Sequence, residues 1–160
     1  MRRFQAISVI LTALGLAGLI LAAVVGAQSR VMGDDVLEML AKGFDYMSQS
    51  NFSAAQAEFE KVIKSDFDNP FANNNMAVLM EKQGRLVDAM TYLKIAAKAA
   101  ENYKNRVKQA HLLGLLCAAV NPEKETADKS AVSQVIADNQ RKLAEKMASQ
   151  PTAASPEPGK

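Results

Sequence analysis

The sequence predicts an all-α fold: a short α-solenoid of helical hairpins, closed by a C-terminal helix and preceded by an N-terminal helix of transmembrane or signal type. Three observations predict it. Between residues 36 and 103 one pattern is written twice, because Gly43, Tyr46, Ala55 and Phe59 are matched 34 residues later by Ala77, Met80, Ala89 and Leu93. A period of that size, with a small residue inside each of two successive amphipathic helices, marks stacked helical hairpins. Residues 4–29 carry no charge, a longer run than the roughly 20 residues a helix needs to cross a bilayer. Near the C-terminus Val132, Val135, Ile136, Leu143 and Met147 fall on one side of a long amphipathic helix.

The spacing Gly-x-x-Tyr then Ala-x-x-x-Phe, at Gly43, Tyr46, Ala55 and Phe59, resembles the tetratricopeptide repeat, and Asn75-Met76-Ala77, Gly84 and Ala89 resemble it again. Copy one departs from the family at Met39 for tryptophan, Lys42 for leucine, Ser50 for the turn glycine and Phe67 for the closing proline. The resemblance covers repeat 1 (36–69) and repeat 2 (70–103). It implies paired antiparallel helices, the first of each pair lining a concave face that holds a polypeptide.

In chain order, residues 1–3 form a basic tip and 4–27 a transmembrane anchor or signal peptide. Val25-Gly26-Ala27 offers small residues for cleavage after Ala27, whereas the apolar run exceeds the 7 to 15 residues of a signal core and favours a retained anchor. Arg2 and Arg3 ahead of it place the rest of the chain across the membrane, on the extracytoplasmic (periplasmic) side. Residues 28–35 are a polar connector in which Asp34 or Asp35 suits an N-cap.

The first helix carries Val36, Leu40, Phe44 and Met47 on one stripe and Met39, Gly43 and Tyr46 on another, so it needs neighbours on two sides. Ser53 with Gln56 reads as a capping box for the second helix, which buries Ala55, Phe59, Val62 and Ile63. Pro70 suits the first position of the third helix, and Gly84 its left-handed end. The fourth helix, from about Val87 to Ala100, buries Ala89, Leu93, Ala96 and Ala97. Residues 104–121 read as a degenerate third unit, a fifth helix bearing Val107, Ala110, Leu113, Gly114 and Cys117 and ending at Asn121-Pro122. Residues 122–148 supply the closing helix, and 149–160, rich in Pro, Ser, Thr and Ala, a tail without order.

Composition excludes several functions. Hydrophobic residues make up 49 per cent, a figure inflated by the N-terminal block, so the remainder is ordinary in polarity. Of 19 basic residues Arg2 and Arg3 supply the whole net charge of +2, which leaves a neutral repeat with no electrostatic footprint for nucleic acid. One histidine, His111, rules out a site of paired imidazoles, and the apolar helix expected around it gives it a packing role. The lone Cys117 has no activating base nearby in sequence and reads as a small buried hydrophobe. Neither a phosphate-cradling glycine loop nor a nucleophile elbow occurs. No enzyme, cofactor, metal or small-molecule substrate is therefore expected.

What the resemblance nominates is a groove. It places Leu40, Phe44, Met47, Asn74, Val78, Glu81 and Lys82 on the concave face as partner-binding residues. Family members that clamp a chain terminus have an asparagine where Phe44 stands, so that clamp's signature is broken here. An apolar strip of a partner helix or extended segment suits the groove instead. The groove's other occupant is the chain itself, through its closing helix or its connector. The expected function is a protein–protein interaction scaffold at the extracytoplasmic face of a membrane, in assembly of an envelope or secretion-type complex. The alternative is a soluble exported chaperone that shields an apolar client segment.

Overall fold

The computed structural model of this protein describes residues 30–123 and 131–150. The tip, the anchor or signal helix expected over 4–27, and the tail beyond residue 150 lie outside the described residues. Within them the chain forms α1 (Asp34–Ser48), α2 (Phe52–Ser65), α3 (Pro70–Lys82), α4 (Leu86–Ala99), a 3₁₀ turn (Ala100–Asn102), β1 (Arg106–His111), β2 (Ala119–Glu123) and α5 (Val132–Ser149). The fold is thus mostly helical, as expected, with one two-stranded antiparallel sheet that was not. Among the described residues no helix is long and apolar enough to cross a membrane.

The helices pair as the period requires, α1 with α2 and α3 with α4. Both hairpins turn in the same way. Ser50 donates its N–H to the Met47 carbonyl (2.9 Å) and Asn51 to that of Tyr46 (2.8 Å); Gly84 donates to Glu81 and Arg85 to Met80, each at 2.9 Å. This is the Schellman closure, which needs a left-handed residue at the turn. Gly84 (φ 75°) takes that conformation freely, whereas Ser50 (φ 61°) takes it against the clash of its Cβ.

Small residues set how closely each pair approaches. Gly43, Ala55, Ala77 and Ala89 are all buried. At Gly43 the Phe59 ring occupies the place a side chain would take, so an added Cβ would stand 2.7 Å from Phe59 Cζ and closer still to Cε1. Phe59, Leu93, Val62 and Leu40, all fully buried, fill the space that this approach leaves.

The helix starts differ in part from expectation. Asn51, not Ser53, caps α2, its side chain accepting from the Ala54 N–H, while Gln56 turns outward to bond Glu60. Gly33 precedes α1, and Asp34 and Asp35 fall in its first turn rather than at the cap. Pro70 does open α3, and buried Asn69 accepts from the N–H groups of Phe71 and Ala72 (both 3.1 Å). In α4 Ala96 is buried as expected, but Ala97 is exposed.

The fifth helix expected over 104–121 is not formed. The segment is a β-hairpin in which Val107 opposes Pro122 and His111 opposes Ala119, with a bulge at Lys108. At the bend between its strands Leu113 (φ 52°) and Gly114 (φ 72°) both stand in the left-handed region, where a right-handed helix does not continue. β2 lies on α1 and α3, and α5 covers α4 and α3 as the closing helix, with Val132, Ile136 and Leu143 buried. The closing helix begins at Val132, not 122; residues 124–130 are outside the described set.

Ahead of α1 the connector is fastened down. Arg30 donates its N–H to the Asn102 carbonyl (2.6 Å) and accepts from the Lys104 N–H (3.0 Å), and Met32 donates to the Asn105 side chain (3.0 Å). Arg30 Nη1 reaches Asp68 (2.6 Å) and Asp66 (3.4 Å), and the Tyr103 hydroxyl donates to Asp66 as well.

Two substitutions test this account in opposite directions. Gly43→Ala should lower unfolding stability by about 1–3 kcal/mol through overpacking against Phe59, and Ser50→Gly should raise it by about 1 kcal/mol by relieving the left-handed serine. Urea unfolding of both variants checks them; a neutral Gly43→Ala would show that the ring is not held where it lies.

Candidate functional site

α1 and α3 lie side by side and present one face, and the residues nominated from sequence do converge on it. Leu40, Phe44, Met47, Asn74, Val78 and Glu81 are all buried, at 4 per cent exposure or less. What buries them is the chain's own hairpin with α5 behind it. The expectation of an open groove is therefore corrected: in this structure the face already holds a polypeptide, and it is residues 111–121. Lys82 alone of the seven stays exposed, its ammonium 5.3 Å from the centre of the Phe52 ring and turned away from the hairpin.

The hold is on backbone atoms. Asn75, fully buried, accepts from the Val120 N–H and donates to the Val120 carbonyl, both at 2.8 Å. Such a bidentate grip is open only to an extended strand, since a helix has already spent its N–H and carbonyl groups internally. This is the main physical reason that residues 104–121 give up their helical pattern. Asn139, reaching in from α5, accepts from the Ala118 N–H (2.8 Å) and donates to the Ala118 carbonyl (3.0 Å) and to Asn74 Oδ1 (2.8 Å). Asn74 in turn donates to the Ala118 carbonyl (2.9 Å). Three buried amides thereby satisfy one another and a strand.

Glu81 works at the end of the same row. Its two carboxylate oxygens accept from the consecutive N–H groups of Leu116 (3.0 Å) and Cys117 (2.9 Å), and Lys146 stands 3.8 Å away. A buried carboxylate needs such partners, because desolvation without them costs several kcal/mol. Phe44 is covered by His111, whose ring centre lies 5.1 Å from its own. The packing role expected for His111 is what it performs, from the end of β1 rather than from a helix.

Sequence reasoning found Asn74 and Glu81 but missed Asn75 and Asn139 as parts of the row. The signal was present: Asn73-Asn74-Asn75 inside a helix that must be buried on several sides requires an outside backbone to bond, and a further helix offers none. Asn73 donates to the carbonyls of Phe67 and Asn69 (2.9 Å each), tying α3 to the turn before it.

Among the described residues no group of three or more His, Cys, Asp and Glu side chains is placed to hold a metal ion. Cys117 is buried, and burial pushes its thiol up from 9.0 to about 12, with the Glu81 charge adding to the rise and Lys142 and Lys146 opposing it.

No protein-family model matches this chain, and no solved structure matches it. It is similar to trafficking protein particle complex subunit 12 of Mus musculus, 33 per cent identical over 58 residues, which is 36 per cent of this chain and 7 per cent of that protein. The chain thus spans a small fraction of that relative's length.

Two measurements test the site. Asn75→Ala orphans both polar groups of Val120 in a buried setting and should cost about 2–4 kcal/mol, at about 1–3 kcal/mol per unsatisfied group; a cost below 1 kcal/mol would mean that water replaces the amide. The thiol supplies a pH test. Its folded value lies above its unfolded one, so folding favours the protonated form and that contribution is intact below pH 9 and lost as pH climbs from about 9 towards 12. Tyr103, raised by its burial and then by its bond to Asp66 with Arg30 opposing, adds to the alkaline loss. The urea midpoint should fall above pH 9, and less steeply in Cys117→Ala; equal slopes would refute the thiol's share.

Proposed function

We propose that this protein is an interaction adaptor of tetratricopeptide-repeat type, fixed at the extracytoplasmic face of a membrane through residues 4–27, that helps assemble an envelope or secretion-type complex. The observation that carries it is the doubled hairpin, whose two turns at Ser50 and Gly84 close by the same pair of hydrogen bonds 34 residues apart. A fold of that kind gives a rigid stack with extended surfaces and no built reaction centre. The stretch of sequence shared with a protein that is, by name, a complex subunit supports the reading at the level of complex membership.

With the face of α1 and α3 filled, the partner is assigned to the outer side of the hairpin. There Leu112 and Leu116 stand exposed on either side of Leu113, a bulky residue held at a positive φ. Such strain costs roughly 1–2 kcal/mol; of the two exposed leucines, Leu116 lines a shallow cavity with Lys142 and Lys146 of α5. Leu112→Glu with Leu116→Glu should abolish recovery of a partner from solubilised membranes while leaving the unfolding free energy within about 0.5 kcal/mol of the parent. Undiminished recovery would sink the outer-face assignment.

A second reading, the exported chaperone cleaved after Ala27, is favoured by the Asn75 grip, which holds backbone atoms and so accepts any extended segment of suitable shape. In that case the hairpin leaves and a client takes its seat. Hydrogen exchange at the Val120 amide separates the two: exchange at the rate of global unfolding supports the adaptor, and faster exchange that a bound client slows supports the chaperone.

A further inference from the structure

We propose that the corner of the molecule formed by Arg30, Val31 and Phe67 rests in the headgroup layer of a lipid bilayer, so that the repeat is mounted on the membrane in one orientation and not hung from a loose tether. The inference deepens the anchored reading and rests on it. Phe67 is 73 per cent exposed and Val31 59 per cent, unusual for an aromatic and a branched aliphatic side chain on the same corner. They are on one corner because Val31 follows Arg30 in the chain, and Phe67 stands between Asp66 and Asp68, the two carboxylates that Arg30 binds.

Chain length decides what lies beside that corner. The uncharged stretch ends at Ser29, and Arg30 is held by backbone bonds on both sides, to Asn102 and Lys104. Only Gln28 and Ser29 separate it from the proposed span of 4–27. Three residue steps reach at most about 11 Å, at 3.3–3.6 Å each. A headgroup layer is roughly 5–8 Å deep on each side of the hydrocarbon core. Arg30 therefore stands inside the headgroup layer or within about 6 Å of its outer edge, and the residues around it on the protein lie against the same boundary.

The chemistry of the corner suits that depth. Asp66 and Asp68 both pair with Arg30, and Asp66 also accepts from the Tyr103 hydroxyl; Lys104 brings the local balance to two cations against two carboxylates. Lys104, exposed and bonded through its N–H to Arg30, places an ammonium at the level of the phosphates. Aromatic and aliphatic side chains beside such cations are the usual occupants of the interface.

The sequence contains no tryptophan, so one can be introduced as a depth probe. Phe67→Trp and Val87→Trp replace two exposed side chains, one ahead of α3 and one in the first turn of α4 beyond it, with the 13 residues of α3, about 20 Å of helix, running between them. The full chain of each variant is reconstituted into phosphatidylcholine–phosphatidylglycerol vesicles carrying nitroxide-labelled headgroups, and flotation is measured beside fluorescence. The proposal expects flotation of both, with most emission lost and shifted to the blue at position 67 and none lost at 87. Flotation without quenching at 67, or with equal quenching at both positions, overturns the mounted corner and leaves the anchor standing. Failure to float overturns the anchor and the corner together.

Discussion

The structure depends on a buried row of amides that has only one way to be satisfied. Asn74, Asn75 and Asn139 lie without access to water between α3, α5 and β2, and each holds backbone atoms of residues 118–120 or another member of the row. Apolar contacts at this face would tolerate a helix, a strand or an open groove. The amides do not, since an unmet buried polar group costs more than a made one returns. They decide that the third unit of the stack is a strand, and that the face is closed.

Glu81 extends the same constraint to the turn. Its carboxylate requires two N–H donors side by side, and the left-handed pair Leu113-Gly114 delivers the chain so that Leu116 and Cys117 supply them. The local cost at Leu113 is thus offset by the burial of a satisfied charge. Polar specificity of this kind fixes which of several apolar packings is adopted, a role distinct from net stabilisation.

The hairpin period, the positions of the small residues, Pro70, Gly84 and the apolar side of α5 were legible in the sequence because each follows from local geometry. Ser50 shows how far that reaches: a serine in the glycine's place still closes the same turn, because the turn's bonds come from the backbone. The hairpin at 106–123 was not legible by the same means. Val107, Ala110, Leu113 and Cys117 recur at helical spacing, and what overrides them lies some forty residues away on α3, in amides whose demand is tertiary. Six of the seven nominated residues are buried together because the period of α1 and α3 sets them, whereas the segment lying on that face is set by Asn75, and no period shows it. Asn51 in place of Ser53 as the cap of α2 is a smaller instance, since two polar residues two positions apart compete for one role and the turn from Ser50 selects between them.

The seat of Arg30 has a bearing on how the chain is built. Its bonds and that of Met32 run to Tyr103 and Asn105, residues 73 positions downstream. A ribosome that has delivered the first hairpin already offers Asp66 and Asp68 to Arg30, but it must deliver the second hairpin and the turn beyond it before the connector's backbone has its partners. Completion of this corner follows the second hairpin, and it ties together the place where the chain enters the repeat and the place where it leaves.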